Sequence, residues 1–260
     1  MPATGRIISM MQCLTGMDDA DYLRHLVLYQ AAPTVRGMKP ASLICPRGNG
    51  RQHGAAWRTC RRDMENTLGL TVECLREDAL GLMLLAYRPE LLGRALSHPE
   101  ARTLLTENGY DAEEADLDPL IRRLREKCRD PRAFPHEIGL FLGYPPHDVR
   151  CFMTLGGCQA KATGSWQAYG DLQQAQKHFA RCREAMDHAA NAISAGTGFR
   201  DAAREVLWNH RSKAFPARGR KTGGSRDVLA SMHHRLADIT ADVRSAADVE
   251  VVRIEVPCSA

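Results

Sequence analysis

No stretch of the 260-residue chain approaches the roughly 18 consecutive apolar residues that a membrane-spanning helix needs, which excludes a helical integral membrane protein. Ile7 to Leu14 is a short apolar patch behind a single Arg6, without a small-residue cleavage pattern after it, so no signal peptide is expected and the expected location is the cytoplasm. Met10, Met11 and Met17 leave the natural start open. No Cys-x-x-Cys pair occurs among the nine cysteines, which removes the zinc-ribbon and dithiol readings. The phosphate-binding glycine patterns of nucleotide-binding loops and the Gly-x-Ser-x-Gly turn of serine hydrolases are also missing. Aromatic residues make up only 6% of the chain, so each one is a limited resource for core or site.

What is present is the composition of an ordinary folded protein, 44% hydrophobic and 25% charged. An odd number of widely scattered cysteines points to a reducing compartment, where most of them pack as small hydrophobes. The formal net charge of +4 is concentrated locally. Arg211, Lys213, Arg218, Arg220, Lys221 and Arg226 fall in one stretch without an acidic residue, and the rest of the chain is slightly acidic.

The periodicities predict a helix from Asp18 to Gln30, capped by Asp18 or Asp19 and ending ahead of Pro33. A short strand from Ala41 to Cys45 and a helix from Gln52 to Thr67 follow. Leu70–Leu75 and Leu80–Tyr87 are apolar runs of strand length around a polar turn, a hairpin expected at the sheet's centre. Pro89–Ser97, Pro99–Asn108 and Leu117–Cys128 read as helices, two of them opened by proline in the first turn. Ser165–Tyr169 reads as a short strand, Asp171–Ala195 as a long helix and Phe199–His210 as another. The expected architecture is α+β (or α/β), a small mixed sheet with a central hairpin covered by several helices, with a C-terminal appendage. Its organisation is a flexible lead-in over 1–17, one domain over 18–208, a basic linker over 209–226, and a helix plus strand-like extension over 227–260.

The most distinctive stretch is Phe134 to Asp148, which contains His136-Glu137. A zinc-protease helix needs a second histidine four residues after the first, and that position is Leu140. The same residues also read as a rigid corner: Ile138, Phe141 and Leu142 give a short apolar helix, Gly143 stops it, and Pro145 or Pro146 starts the next with Asp148 in its first turn. Two readings of His136 and Glu137 stand, a structural pair or a ligand site, to which Lys39, Trp166 and Tyr169 belong as polar or aromatic residues at loops and element ends. Trp166 and Tyr169 fit a core equally, and Lys39 fits a solvated loop. A soft metal set of His136, His147, Cys151 and Cys158 is a further candidate, and Cys151 with His136 or His147 is a candidate nucleophile–base pair. The basic stretch with Phe215 is either a solvated linker or a nucleic-acid contact.

Leu28–Thr34, Gly37–Leu43, Phe134–Phe152 and Ser165–Asp171 occur in an order and spacing that resembles the bacterial DUF3793 family over about residues 18–205. Pro135-His136-Glu137-Ile138-Gly139-Leu140-Phe141-Leu142-Gly143-Tyr144-Pro145 is the strongest element. The resemblance implies an anaerobic bacterial setting and a link to iron physiology, and it brings no catalytic residues or cofactor with it. This chain departs from the family in its C-terminal extension and in lacking a cysteine near Gln30-Ala31. The function expected on these grounds is binding of a small ligand or metal. A cysteine/histidine-dependent enzyme and a nucleic-acid-associated protein are the alternatives.

Overall fold

The structure, a computed structural model, describes residues 3–46, 50–78, 81–112, 116–130 and 134–212. Its centre is a three-stranded sheet of β1 (Ala41–Ile44), β2 (Thr71–Asp78) and β3 (Gly81–Tyr87) in the order β1-β3-β2. The expected hairpin forms, but only β3 is central, because β1 pairs along its free edge and leaves β2 at the margin. Every pairing is antiparallel, where the sequence reading expected a mixed sheet. Gly-Leu-Met-Leu-Leu-Ala-Tyr is apolar on both faces: Leu82, Leu84 and Ala86 look to one layer, and Met83, Leu85 and Tyr87 to the other. In β2, Val72 serves the first layer and Leu75, on the opposite face, the second, and the register slips between Cys74 and Arg76, a bulge after which the strand continues to the hairpin.

The first layer holds α1 (Ala3–Thr15), α2 (Asp19–Val35), α3 (His53–Leu68), α9 (Leu172–Ser194) and α10 (Phe199–Ser212). Within the lead-in expected to be flexible over 1–17, Ala3–Thr15 forms α1, which lies along α9 with Met10 and Leu14 fully buried. At the layer's heart, α2 buries twelve of its residues on all sides. A helix apolar all round belongs inside, which an amphipathic template underestimates. Asp18 caps α2 by accepting from the Asp21 N–H at 2.8 Å. Its end, however, lies beyond Pro33. Proline there removes one helical bond, yet the last turn persists because Thr34 and Val35 are buried. Thr34 Oγ1 meets Ser42 Oγ at 2.9 Å on β1, and the Arg88 guanidinium donates to the carbonyls of Thr34 and Val35.

The second layer comprises α4 (Pro89–Leu96), α5 (Pro99–Glu107), α6 (Leu117–Cys128), α7 (Ile138–Phe141) and α8 (Pro146–Leu155). A two-stranded ribbon, β4 (Ala162–Thr163) with β5 (Gln167–Ala168), bridges α8 to α9 and is shorter than the strand expected over 165–169. Among the described residues no helix is long and apolar enough to cross a membrane. α10 continues to Ser212, past residue 209, the expected start of the linker. Arg211 falls on that helix. Lys213, Arg218, Arg220, Lys221 and Arg226, and the extension over 227–260, lie outside the described residues.

Candidate functional site

Glu137 is 3% exposed and fully engaged. Its Oε1 accepts from the Tyr110 hydroxyl at 3.1 Å and from the Lys127 ammonium, which also donates to the Asn108 carbonyl at 2.9 Å and sits 4.9 Å from the Tyr110 ring centre. Burial and the neighbouring carboxylate push the Tyr110 phenol far above its ordinary range. The carboxylate therefore ties the start of α7 to α6 and to the end of α5. His136 packs against Phe134 and edge-on to Phe152 at 5.2 Å, with Nδ1 buried and without a hydrogen-bond partner. The predicted pair is thus divided between two environments, and the helix–corner reading of this stretch holds.

Lys39 and Trp166 do come together, on Tyr144. Trp166 stacks on that ring at 5.2 Å and meets Phe179 edge-on at 4.5 Å and His178 at 5.2 Å, while the Lys39 ammonium stands 5.7 Å from the Tyr144 centroid. Desolvation lowers the Lys39 pKa to about 8. Burial, with Lys39 and Arg181 nearby, also holds His178 below its usual value, and burial raises Cys182. The loop carrying Lys39 reaches this corner because Gly143 adopts φ +78°, and a Cβ there would stand 2.3 Å from Pro40 Cδ.

Asp148, read from the sequence only as a helix-start residue, is the anchor of the next segment. It is 4% exposed at the third position of α8. Its Oδ1 accepts the backbone N–H groups of Tyr169 at 3.0 Å and Gly170 at 2.8 Å, and its Oδ2 accepts the Trp166 indole N–H at 2.8 Å. The Tyr169 hydroxyl donates to Gln167 Oε1 at 3.0 Å. Trp166 and Tyr169 are consequently packed and pinned, and the stretches singled out in the sequence form one interlocked node. Lys39 and Tyr144 touch within it, Pro40 seats on Gly143, and Asp148 holds Trp166.

Of the proposed metal set, His147 and Cys151 share a face of α8 with Nε2 and Sγ 3.5 Å apart. His136 lies against Phe152, and Cys158 is held in a disulfide, which removes its thiol from the set. Among the described residues no group of three or more His, Cys, Asp or Glu side chains is placed to hold a metal ion.

The site that sequence reasoning missed is a cleft of about 920 Å³ at the C-terminal end of α2, between α4 and α10. Arg36, Arg88, Arg94, Arg200 and Arg204 line it, against a single acidic lining residue, Glu90, and Leu91, Leu207 and Trp208 supply apolar wall. Arg88 is committed to the α2 carbonyls, Arg200 pairs with Asp63 at 2.8 Å and Arg204 with Asp201 at 2.8 Å. Arg36 differs from these. It is 7% exposed, its Nε and Nη1 are buried without hydrogen-bond partners, and no described carboxylate pairs with it. An isolated buried cation is costly, on the order of several kcal/mol in real proteins. The five arginines are scattered over three helical regions and form no local motif. The one local signal is Arg36 itself, which directly precedes Gly37 at a helix end.

No curated protein and no solved structure matches the chain. The family profile described as "Protein of unknown function (DUF3793)" matches residues 27–202, a span that takes in the node, β1–β3 and all of the cleft except part of the α10 wall. By that match, the chain belongs to the DUF3793 family.

Proposed function

We propose that the protein binds a small anionic molecule in the Arg36 cleft. The observation that carries this reading is Arg36, 7% exposed with Nε and Nη1 buried and without hydrogen-bond partners, on the wall of a cleft of about 920 Å³. Arg88 supports it by occupying the carbonyl oxygens of Thr34 and Val35, which cancels much of the negative end of α2 that would otherwise repel an anion.

Inorganic phosphate is a direct probe. At about 100 times its dissociation constant a bound anion adds about 2.7 kcal/mol of stability, a rise in melting temperature of roughly 5–10 °C for a domain of this size. Arg36→Met removes the buried charge while keeping its length. The variant is expected to melt higher than wild type without phosphate and to lose the phosphate-dependent rise, beyond the small general stabilisation that kosmotropic salts give any protein. An equal rise in wild type and variant refutes the reading.

A second reading rests on the 3.5 Å contact between Cys151 Sγ and His147 Nε2, the pairing from which a histidine draws a thiol proton. Cys60, Cys128 and Cys182 are buried with raised pKa values, which makes Cys151 the expected site of fastest alkylation. Peptide-level mass spectrometry after a short iodoacetamide pulse is expected to find Cys151 modified first, with the rate reduced about tenfold in His147→Ala. A rate unaffected by His147→Ala removes this reading.

A further inference from the structure

We infer that His147 and Cys151 form a two-ligand site for a borderline-soft divalent cation of the zinc class on the exposed side of α8. Such a site is independent of the Arg36 cleft, and it uses the contact behind the nucleophile reading without requiring thiol reactivity. The two residues are four positions apart, the spacing that stacks side chains on one face of a helix. Their donor atoms, Nε2 and Sγ, stand 3.5 Å from each other. A tetrahedral zinc ion holds an imidazole nitrogen at about 2.0 Å and a thiolate sulfur at about 2.3 Å, which places those two donors about 3.5 Å apart. The pair therefore already has the edge length of a zinc tetrahedron. Closing the chelate releases the thiol proton to solvent as the metal–sulfur bond forms, and asks only for small rotations of two side chains.

His147 is exposed and Cys151 half-buried, so a hydrated ion reaches both donors from solvent. Water completes the shell, because no third His, Cys, Asp or Glu side chain among the described residues converges there. On the inner side the pair is backed by the segment after β5. A Cβ on Gly170 would stand 3.4 Å from His147 Cδ2, and Asp148 fixes Gly170 by accepting its N–H at 2.8 Å. The imidazole thus rests against an anchored backbone, which limits the freedom a ligand must give up. One imidazole and one thiolate favour zinc over magnesium or calcium, whose shells are built from oxygen. The chain carries the same His-x-x-Arg-Cys string a second time, as His178-Phe-Ala-Arg-Cys182 on α9. There Cys182 is 3% exposed, burial raises its thiol, and the Lys39 ammonium acts on both Cys182 and His178. A divalent cation is desolvated and repelled at that pair, so equal spacing in sequence gives one competent site on α8 and one internal control on α9.

The test titrates cobalt(II) and zinc(II) into the full chain after treatment with a chelator. Cobalt(II) occupies zinc sites and reports a bound thiolate by a ligand-to-metal charge-transfer band. The wild type is expected to show that band and to lose it when zinc(II), the stronger binder, is added. Cys151→Ser and His147→Ala are each expected to weaken cobalt binding by about tenfold or more, since loss of even an outer-shell partner of a metal ligand reaches that cost. Cys151→His is expected to keep zinc binding without the thiolate band, imidazole being a zinc ligand as well, and Cys182→Ser to change nothing. Zinc(II) is also expected to slow iodoacetamide modification of Cys151 while magnesium leaves it unaffected. No band in the wild type, or a band that survives Cys151→Ser and His147→Ala, overturns the site. A band removed by Cys182→Ser overturns its assignment to α8. Alkylation of Cys151 that still depends on His147 but is not slowed by zinc(II) overturns the chelate and leaves the nucleophile reading intact. Protection by zinc(II) without any effect of His147→Ala on the metal-free rate supports the chelate and removes that reading.

Discussion

Asp148→Asn replaces one oxygen of a buried carboxylate by an amide and leaves volume nearly unchanged, so its effect isolates hydrogen bonding. The wild-type carboxylate accepts three bonds at 2.8–3.0 Å while 4% exposed. Asparagine can keep its oxygen toward the Tyr169 and Gly170 N–H groups, but its NH₂ then faces the Trp166 indole N–H, donor against donor. One charge-assisted bond is lost, about 1.5–3 kcal/mol, and the two that remain lose their charge. The favourable placement of a negative charge in the first turn of α8 adds a few tenths more. Together these predict a loss of about 3 kcal/mol, or roughly 6–12 °C in melting temperature. Trp166→Phe removes the indole donor while keeping a ring against Tyr144 and Phe179, so in that background Asp148→Asn is expected to cost at least 1 kcal/mol less. Urea denaturation of the four proteins of this cycle measures the coupling. An Asp148→Asn cost under about 1 kcal/mol, or strict additivity with Trp166→Phe, would show that Asp148 does not anchor the ribbon as argued.

Lys39 makes stability depend on pH in a predictable direction. With a folded pKa near 8 against 10.5 for the ordinary side chain, the unfolded chain binds more protons between those values. Stability from this group therefore rises as pH rises through that window, by about 1–3 kcal/mol. Raised cysteine and tyrosine values work in the opposite sense, so the readout is the difference between wild type and Lys39→Met: the variant's advantage at pH 7 is expected to shrink between pH 8 and 10.5, and a pH-independent difference in urea titrations contradicts it. Gly143→Ala combines a left-handed backbone with a 2.3 Å approach to Pro40, and about 3 kcal/mol or more is expected to be lost; a thermal melt within 2 °C of wild type refutes the close packing of that loop.

Much of this fold is written in local pattern. Prolines at 89 and 99 start helices because their missing N–H groups are not needed there, Asp18 and Asp171 cap α2 and α9, and the polar break before Gly81 separates two strands. The misses have one physical cause, that tertiary burial outweighs local signal. Pro33 ought to end a helix, but its turn is held by Ser42 and Arg88, 8 and 53–54 residues away from the atoms they contact. The segment before Asp18 lacks an evident cap, yet Met10 and Leu14 find a surface on α9 that only the folded chain provides. β3 displaces β2 from the centre because it is apolar on both faces, a property visible in Leu82–Tyr87 and not weighed against the half-polar β2.

The separation between the distinctive residues and the candidate site follows from the same physics. Glu137, Asp148, Gly143 and Trp166 are residue types with few substitutes where they stand: a carboxylate surrounded by donors, a carboxylate with three bonds, a left-handed turn under a proline, an indole with both a stacking face and an N–H to place. Such demands fall on neighbouring positions in sequence because α7, the turn and α8 are consecutive, and so they write a recognisable string. An anion site makes a looser demand, guanidinium groups converging from any direction, and α2, α4 and α10 meet that demand with residues spread from 36 to 204. Arg36 is where the two kinds of constraint meet. It caps α2 with its backbone N–H to Ala32 and Thr34, which fixes its position as firmly as any residue of the node, while its Nε and Nη1 find no hydrogen-bond partner among the described residues. A residue placed that rigidly and left that incomplete is the one whose replacement tests the proposed anion site most directly.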